Sequence, residues 1–188
     1  MVTIHNWLKD LVNVTDEELS VINEITETTF INANEIILKQ GQVSNRIGLL
    51  LQGTTRTIFT DNDGNEKILA FMFEGEPLAV IDSFLNRIPS SVSSITIEPS
   101  TIIWTDYERY TSFLNKFPRY NTFMLSALAK WFADGKNRME YLHKNSAKEK
   151  YDMMCKLHPK IIERVPLMYI ASYLGITQHT LSRIRSKK

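Results

Sequence analysis

Residues 166–188 read PLMYIASYLGITQHTLSRIRSKK, and their spacing sets how the rest of the chain is read. Ala171 is small where two crossing helices would touch, and Gly175 follows where a tight turn needs a positive φ. Ile170, Leu174, Ile176, Leu181 and Ile184 fall at the inward-facing positions of two helices, and Thr177 is placed to cap the second through its hydroxyl. Gln178, His179, Ser182 and Arg183 are left on the outer face of the second helix, where base edges in a major groove would be read. This is the spacing of a helix-turn-helix. An ordinary αα-hairpin shares the glycine turn but has no need of Arg183, Arg185, Lys187 and Lys188 at its end.

Working back toward the N-terminus, the charge supports that reading. Residues 141–188 carry a net +7 and residues 1–140 a net −6, a split hidden by the overall +1. A basic module joined to an acidic one implies that only the C-terminal part meets a polyanion. Within it, Ser146 or Asn145 can cap a helix through about Leu157, Pro159 interrupts, and Pro166 sits at the start of the next helix.

The segment from about Pro118 to Leu142 carries two adjacent apolar heptad stripes, Phe117, Tyr120, Met124, Ala127, Trp131 and Leu128, Phe132, Gly135, Met139, Leu142. One stripe satisfies packing against the chain's own core. The second calls for another helix, most simply the same helix of a second copy about a two-fold axis, with Tyr120, Met124, Ala127 and Trp131 at the interface.

Residues 28–105 change character. Short β-rich runs alternate with turn signals, five of the seven glycines lie here, and Asp63-Gly64 between two such runs is a hairpin signal. Seven or eight short strands imply an antiparallel sandwich or roll. Ahead of it, residues 4–27 read as two short helices, the second opened by a Thr15/Glu18 capping box. Residues 74–94, EGEPLAVIDSFLNRIPSSVSS, read as a strand end, a short helix and another strand, either with Arg87, Ser90, Ser91 and Ser93 facing an anion or as a buried turn with ordinary surface polar residues.

Catalytic chemistry finds little support. The four histidines are His5, His143, His158 and His179, so none lies in the roll to ligate a metal or act as a base, and Cys155 is the single cysteine. Asp61/Asp63 and Glu74/Glu76 sit in turn-like segments and read as solvated turn residues. The chain is expected to be no enzyme, to hold no metal and no cofactor, and, lacking a long uncharged apolar run or a signal-type N-terminus, to be cytoplasmic.

The order of parts, a glycine-punctuated roll, a long helix and a small helix-turn-helix, resembles the Crp/Fnr family of bacterial transcription regulators over roughly residues 10–188. Residues 38–69, LKQGQVSNRIGLLLQGTTRTIFTDNDGNEKIL, look like the first half of its roll, and residues 171–184, ASYLGITQHTLSRI, like its helix-turn-helix. Short members of this kind are common in the Bacteroidetes. The resemblance implies an α+β protein. Residues 1–27 would be N-terminal helices, 28–112 a cyclic-nucleotide-binding-like antiparallel double-stranded β-helix (a jelly-roll-like β-roll), 113–145 a dimerisation helix, and 146–188 a DNA-binding domain without the family's β-wing.

It implies a homodimer that binds DNA through Thr177, Gln178, His179, Thr180, Ser182, Arg183, Arg185, Lys187 and Lys188, with RNA polymerase and a small-molecule effector as further partners. An effector pocket would be lined by Ala79, Val80, Arg87, Ser90, Ser91 and Met124. Where the family holds the ribose with a Gly-Glu pair and the phosphate with Arg-Ser or Arg-Thr, this chain has Ala79-Val80 and Ser90-Ser91. An uncompensated phosphate in a mostly buried pocket costs several kcal/mol, so tight binding of cyclic AMP or cyclic GMP is not expected. The alternative reading is a ligand-binding or protein-interaction module whose helix-turn-helix no longer grips DNA.

Overall fold

Helix α1 (Asp16–Ile25) begins at the capping box read from the sequence. The Thr15 hydroxyl accepts the Glu18 N–H at 3.3 Å while the Glu18 carboxylate accepts the Thr15 N–H at 2.8 Å. The computed structural model describes residues 13–186, the Lys130 side chain excepted, so the first of the two expected N-terminal helices lies outside the described residues, as do Lys187 and Lys188. The chain divides into two compact units, one ending at Phe123 and the other beginning at Met124.

Eight strands follow α1: β1 (Glu27–Ile31), β2 (Ile36–Leu38), β3 (Arg46–Gln52), β4 (Thr55–Thr60), β5 (Glu66–Met72), β6 (Pro77–Leu78), β7 (Ser93–Thr96) and β8 (Ser100–Asp106). A short helix α2 (Ile81–Asn86) separates β6 from β7, and α3 (Tyr107–Lys116) continues directly from β8. The strands form two four-stranded sheets, β1-β8-β3-β6 and β2-β7-β4-β5, in which the paired neighbours run antiparallel. Non-consecutive neighbours within each sheet mark a roll rather than a meander, as the spacing of strands and turns predicts.

Side chains from both sheets meet in its core. Leu50, Leu78, Ile102 and Trp104 are buried together, with Ile31, Ile37 and Met72 packed against them. Gly48 is there to admit Trp104: a Cβ at that position would lie 2.4 Å from the indole Cε3. The β4–β5 turn closes where Asp63-Gly64 places it. The Asp61 carboxylate accepts the N–H groups of Asp63 at 3.1 Å and Asn65 at 2.8 Å, an Asx arrangement in which the carboxylate builds the turn. Glu74 and Glu76 act similarly, accepting the Gly53 N–H at 2.9 Å and the Phe73 N–H at 2.8 Å.

The long helix α4 runs Arg119–Lys144, and its start corrects the expected 113–145 segment. Phe117 ends α3 with its N–H on the Phe113 carbonyl at 2.9 Å, and Pro118, which restricts the residue before it, separates the two helices. Residues 113–116 therefore belong to α3. Tyr120 is corrected as well: it is buried beside Ile22 of α1 and Phe113 of α3, its ring centroid 4.8 Å from that of Phe113. Its apolar surface is used within the chain and is withdrawn from the expected dimer face.

Arg119 fastens the same corner. Its Nε donates to Glu18 Oε1 at 2.7 Å, its Nη2 pairs with Glu18 Oε2, and Nη2 also donates to the Asn13 carbonyl at 2.6 Å. Burial alone would push the Glu18 carboxyl up. The Thr15 N–H, the Arg119 guanidinium and the Thr15 hydroxyl outweigh it and hold the carboxyl below its usual range.

Beyond α4 come α5 (Ala147–Leu157), α6 (Ile161–Arg164), α7 (Leu167–Leu174) and α8 (Gln178–Ser186). Tyr151, Met154, Ile161, Val165, Ile170, Ala171, Leu174 and Leu181 are all buried in this smaller unit. No described helix is long and apolar enough to cross a membrane.

Candidate nucleic-acid interface and effector region

Helices α7 and α8 take the arrangement that residues 166–188 predict. Gly175 ends α7 with φ +65°; its N–H donates to Ser172 O at 3.1 Å and the Ile176 N–H to Ala171 O at 3.0 Å, the paired bonds of a Schellman motif. A Cβ at Gly175 would meet nothing within 4 Å, so the left-handed φ and not crowding calls for glycine. The Thr177 hydroxyl accepts the Thr180 N–H at 3.1 Å and lies 2.9 Å from the Thr180 hydroxyl, capping α8. Ile170, Leu174 and Leu181 lie in the core, Ile176 and Ile184 at its margin.

The opposite face of α8 is open. Gln178, His179, Ser182, Arg183 and Arg185 are exposed, as is Thr177, while Thr180 is half-buried. The sequence-predicted DNA contacts are thus brought to one helix and its N-cap, Lys187 and Lys188 excepted because they lie outside the described residues. Arg185 also reaches the Tyr151 hydroxyl of α5. That phenol is raised by burial and by the Cys155 thiol, with Arg185 pulling the other way.

Sequence reasoning missed how α4 is joined to this unit. Ser146, and not Asn145, caps α5, in a second capping box with Glu149. Asn145 Nδ2 instead donates to the Tyr141 carbonyl at 2.9 Å, closing the end of α4. The Tyr141 hydroxyl donates to the Glu149 carbonyl, and the Arg138 guanidinium lies 4.0 Å from the Tyr173 ring centroid on α7. Arg138 falls seven residues after Trp131, in register with the first heptad stripe but polar. Nothing in its local sequence pairs it with a residue thirty-five positions on.

Along α4 several apolar side chains beyond Tyr120 remain outward, while Phe123, Leu128 and Leu142 are half-buried. Leu125 is 68% exposed, Trp131 60%, Phe132 72% and Met139 60%, with Ala127 exposed and Met124 half-buried. Leu125, Leu128, Phe132, Gly135, Met139 and Leu142 follow one another at spacings of 3, 4, 3, 4 and 3, a seam of the coiled-coil kind. An apolar stripe of this length on a polar helix is the mark of an interaction surface.

Of the expected effector residues, Ala79, Val80, Arg87, Ser90 and Ser91 lie in the first unit, around α2, and Met124 opens the second. Ser90 is buried, its hydroxyl donating to Val92 O at 2.7 Å and accepting the Val92 N–H at 3.1 Å; Ser91 is exposed. Arg87, itself left-handed at φ +57°, donates to the Ser44 carbonyl at 2.9 Å, bonds Asn45 Oδ1 at 2.5 Å, and stacks 4.4 Å from the Tyr107 ring centroid. Its guanidinium therefore ties the α2 turn to the β3 approach, a role that no local sequence signal announces. Among the described residues no group of three or more His, Cys, Asp or Glu could hold a metal ion.

Residues 28–117 match the family model of the cyclic nucleotide-binding domain. No curated protein sequence matches the chain. Solved structures do. FixK2 from Bradyrhizobium japonicum matches with TM-score 0.75 at 15% identity, over 87% of this chain and 84% of that one. The c-di-GMP responsive global regulator CLP of Xanthomonas campestris gives TM-score 0.73 at 15% identity, over 92% of this chain and 91% of that one. The catabolite activator protein of Thermus thermophilus gives 0.60 at 18% identity, over 93% and 84%. At these identities the likeness is one of fold. The chain thus carries, at residues 28–117, a match to the cyclic nucleotide-binding domain, within a fold shared with FixK2, CLP and the Thermus thermophilus catabolite activator protein.

Proposed function

We propose that the protein is a homodimeric, sequence-specific DNA-binding transcription regulator of the Crp/Fnr type. The observation that carries this is the capped helix α8, whose Gln178, His179, Ser182 and Arg183 stand exposed on one face while Leu181 is fully buried on the other. Arg183 suits guanine through bidentate bonds to O6 and N7, and Gln178 suits adenine. Thr177, Thr180, Arg185, Lys187 and Lys188 supply phosphate contacts, so affinity falls steeply with salt. The net +7 over residues 141–188 favours a polyanionic partner.

Two copies pair through α4, along the seam from Leu125 to Leu142 and the adjoining Met124, Ala127 and Trp131 of the expected interface, supported by the heptad spacing and by Leu125, Trp131, Phe132 and Met139 left outward there. The pair would present two recognition helices about 34 Å apart, one turn of DNA. The roll acts as sensor or scaffold and not as a cyclic AMP receptor. Ala79-Val80 and Ser90-Ser91 replace the acidic and basic pairs that the resemblance calls for, and Arg87 is bonded to Ser44 and Asn45.

Selection from random-sequence duplex DNA at low salt tests the reading, with an enriched inverted repeat as the expected result. Absence of any enrichment overturns it and favours an interaction module. Isothermal calorimetry with cyclic AMP and cyclic GMP is expected to give no heat of binding. Micromolar affinity for either would restore the nucleotide as the signal.

A further inference from the structure

The joint between α4 and the helices that follow is two residues long, Asn145 and Ser146, and both ends are capped. Asn145 closes α4 on the Tyr141 carbonyl, and Ser146 opens α5 through its bond with the Glu149 N–H. Capping fixes where each helix stops and starts. It leaves the dihedrals between them, and so the angle at which α4 carries α7 and α8, to contacts farther out. Tyr141 braces the first turn of α5 through the Glu149 carbonyl. Arg138, almost two turns back along α4, reaches beyond α5 to α7, its guanidinium 4.0 Å from the Tyr173 ring centroid. The guanidinium is set well inside the unit, where burial works against its charge and the nearby Tyr173 supports it. Tyr173 is the penultimate residue of α7, next to the Leu174–Gly175 turn that launches α8. The stack therefore braces the base of the recognition helix directly to the helix that bears the exposed apolar seam.

On this basis we propose that Arg138, through its stack on Tyr173, is a specificity-determining positioning residue that sets the spacing between the two DNA half-sites. The inference rests on the reading of the chain as a DNA-binding dimer. Successive base pairs are about 3.4 Å apart along the duplex, so a dimer reads two half-sites at one separation only if each recognition helix is held to within roughly that distance. A cation–π stack with a planar guanidinium resists both sliding and tilting in a way that an apolar contact or a lysine does not. Loss of the stack leaves α8 and its outward residues intact and loosens only the relation of α8 to α4.

The test uses the full chain and duplexes carrying the half-site selected by the wild-type protein as an inverted repeat, with centre-to-centre spacing varied from about 8 to 13 base pairs. The wild type is expected to favour one spacing about tenfold over those two base pairs away. Arg138→Ala is expected to bind a single half-site as the wild type does and to show a spacing preference below about threefold. Tyr173→Leu removes the ring face by a different route and serves if Arg138→Ala melts early, while Tyr173→Phe keeps the stack and should restore the wild-type profile. An unchanged spacing profile in a folded Arg138→Ala or Tyr173→Leu protein, or loss of the profile in Tyr173→Phe, overturns the proposal alone. Failure of the wild type to select any half-site removes the DNA-binding reading and this inference with it.

Discussion

In the first unit the polar side chains turn inward: Thr54, Thr55, Thr96 and Ser100 are fully buried, and Thr54, Thr96 and Ser100 bond Glu98 or nearby backbone carbonyls. In the second unit the pattern is reversed. Gln178, His179 and Arg183 stand exposed on α8, and on α4 Leu125, Phe132 and Met139 form an exposed apolar row at heptad spacing. The roll spends its chemistry on closing turns and satisfying its own backbone, as Asp61, Glu74, Glu76 and Arg87 illustrate. The helical unit holds its chemistry outward, on the two faces where partners are expected.

The contrast can be broken first at the cores. Leu50→Ala in the roll and Leu181→Ala in the helical unit each empty a fully buried site and are expected to cost about 2–5 kcal/mol, measured by denaturant unfolding. If the units are as distinct as their contacts imply, Leu50→Ala lowers the transition of the roll and Leu181→Ala that of the helices. A single transition lowered equally by both would show that the two unfold as one. Gly48→Ala is expected to cost about 1–3 kcal/mol because its Cβ meets the Trp104 ring.

The outward faces are probed next. Phe132→Glu with Met139→Glu is expected to convert a dimer to single chains in sedimentation equilibrium while leaving the melting of the roll unchanged. Dimers that persist would move the interface off the α4 seam. Arg183→Ala is expected to relax base preference at one position per half-site, at a cost of about 1–3 kcal/mol, with phosphate contacts and salt dependence retained. An unaltered sequence preference would remove Arg183 as a base reader.

The smallest effect expected is one of pH. The folded Glu18 carboxyl is held below its ordinary value, so its contribution is present in full above an unfolded pKa of about 4.3 and is lost as pH falls through the lower folded value. Glu18→Gln should remove that slope from a stability profile taken between neutral and strongly acid solution. A profile identical to wild type would show that Arg119 and Thr15 do not hold the charge.

The sequence made much of this legible because the signals are local. The Thr15 capping box, the cap at Asn145 or Ser146, the Asp63-Gly64 turn and the Gly175 turn are each set by residues within a few positions of one another, where steric and hydrogen-bonding rules act without the rest of the fold. The heptad spacing of α4 was legible for the same reason. Which apolar residues stay outward was not, because burial depends on what arrives from elsewhere. Tyr120 reads as part of an exposed stripe until α1 and α3 bring Ile22 and Phe113 against it.

The sequence by itself thus determined the roll, the break into helices and the face that α8 turns outward, since period, turn chemistry and charge are written residue by residue. Tertiary structure alone decided the pairings across long separations, Glu18 with Arg119, Arg87 with Asn45 and Tyr107, and Arg138 with Tyr173. An arginine's side chain is long and its stem apolar, so it can lie over any aromatic or carboxylate that folding brings near. Its spacing in the chain carries no record of which one that is.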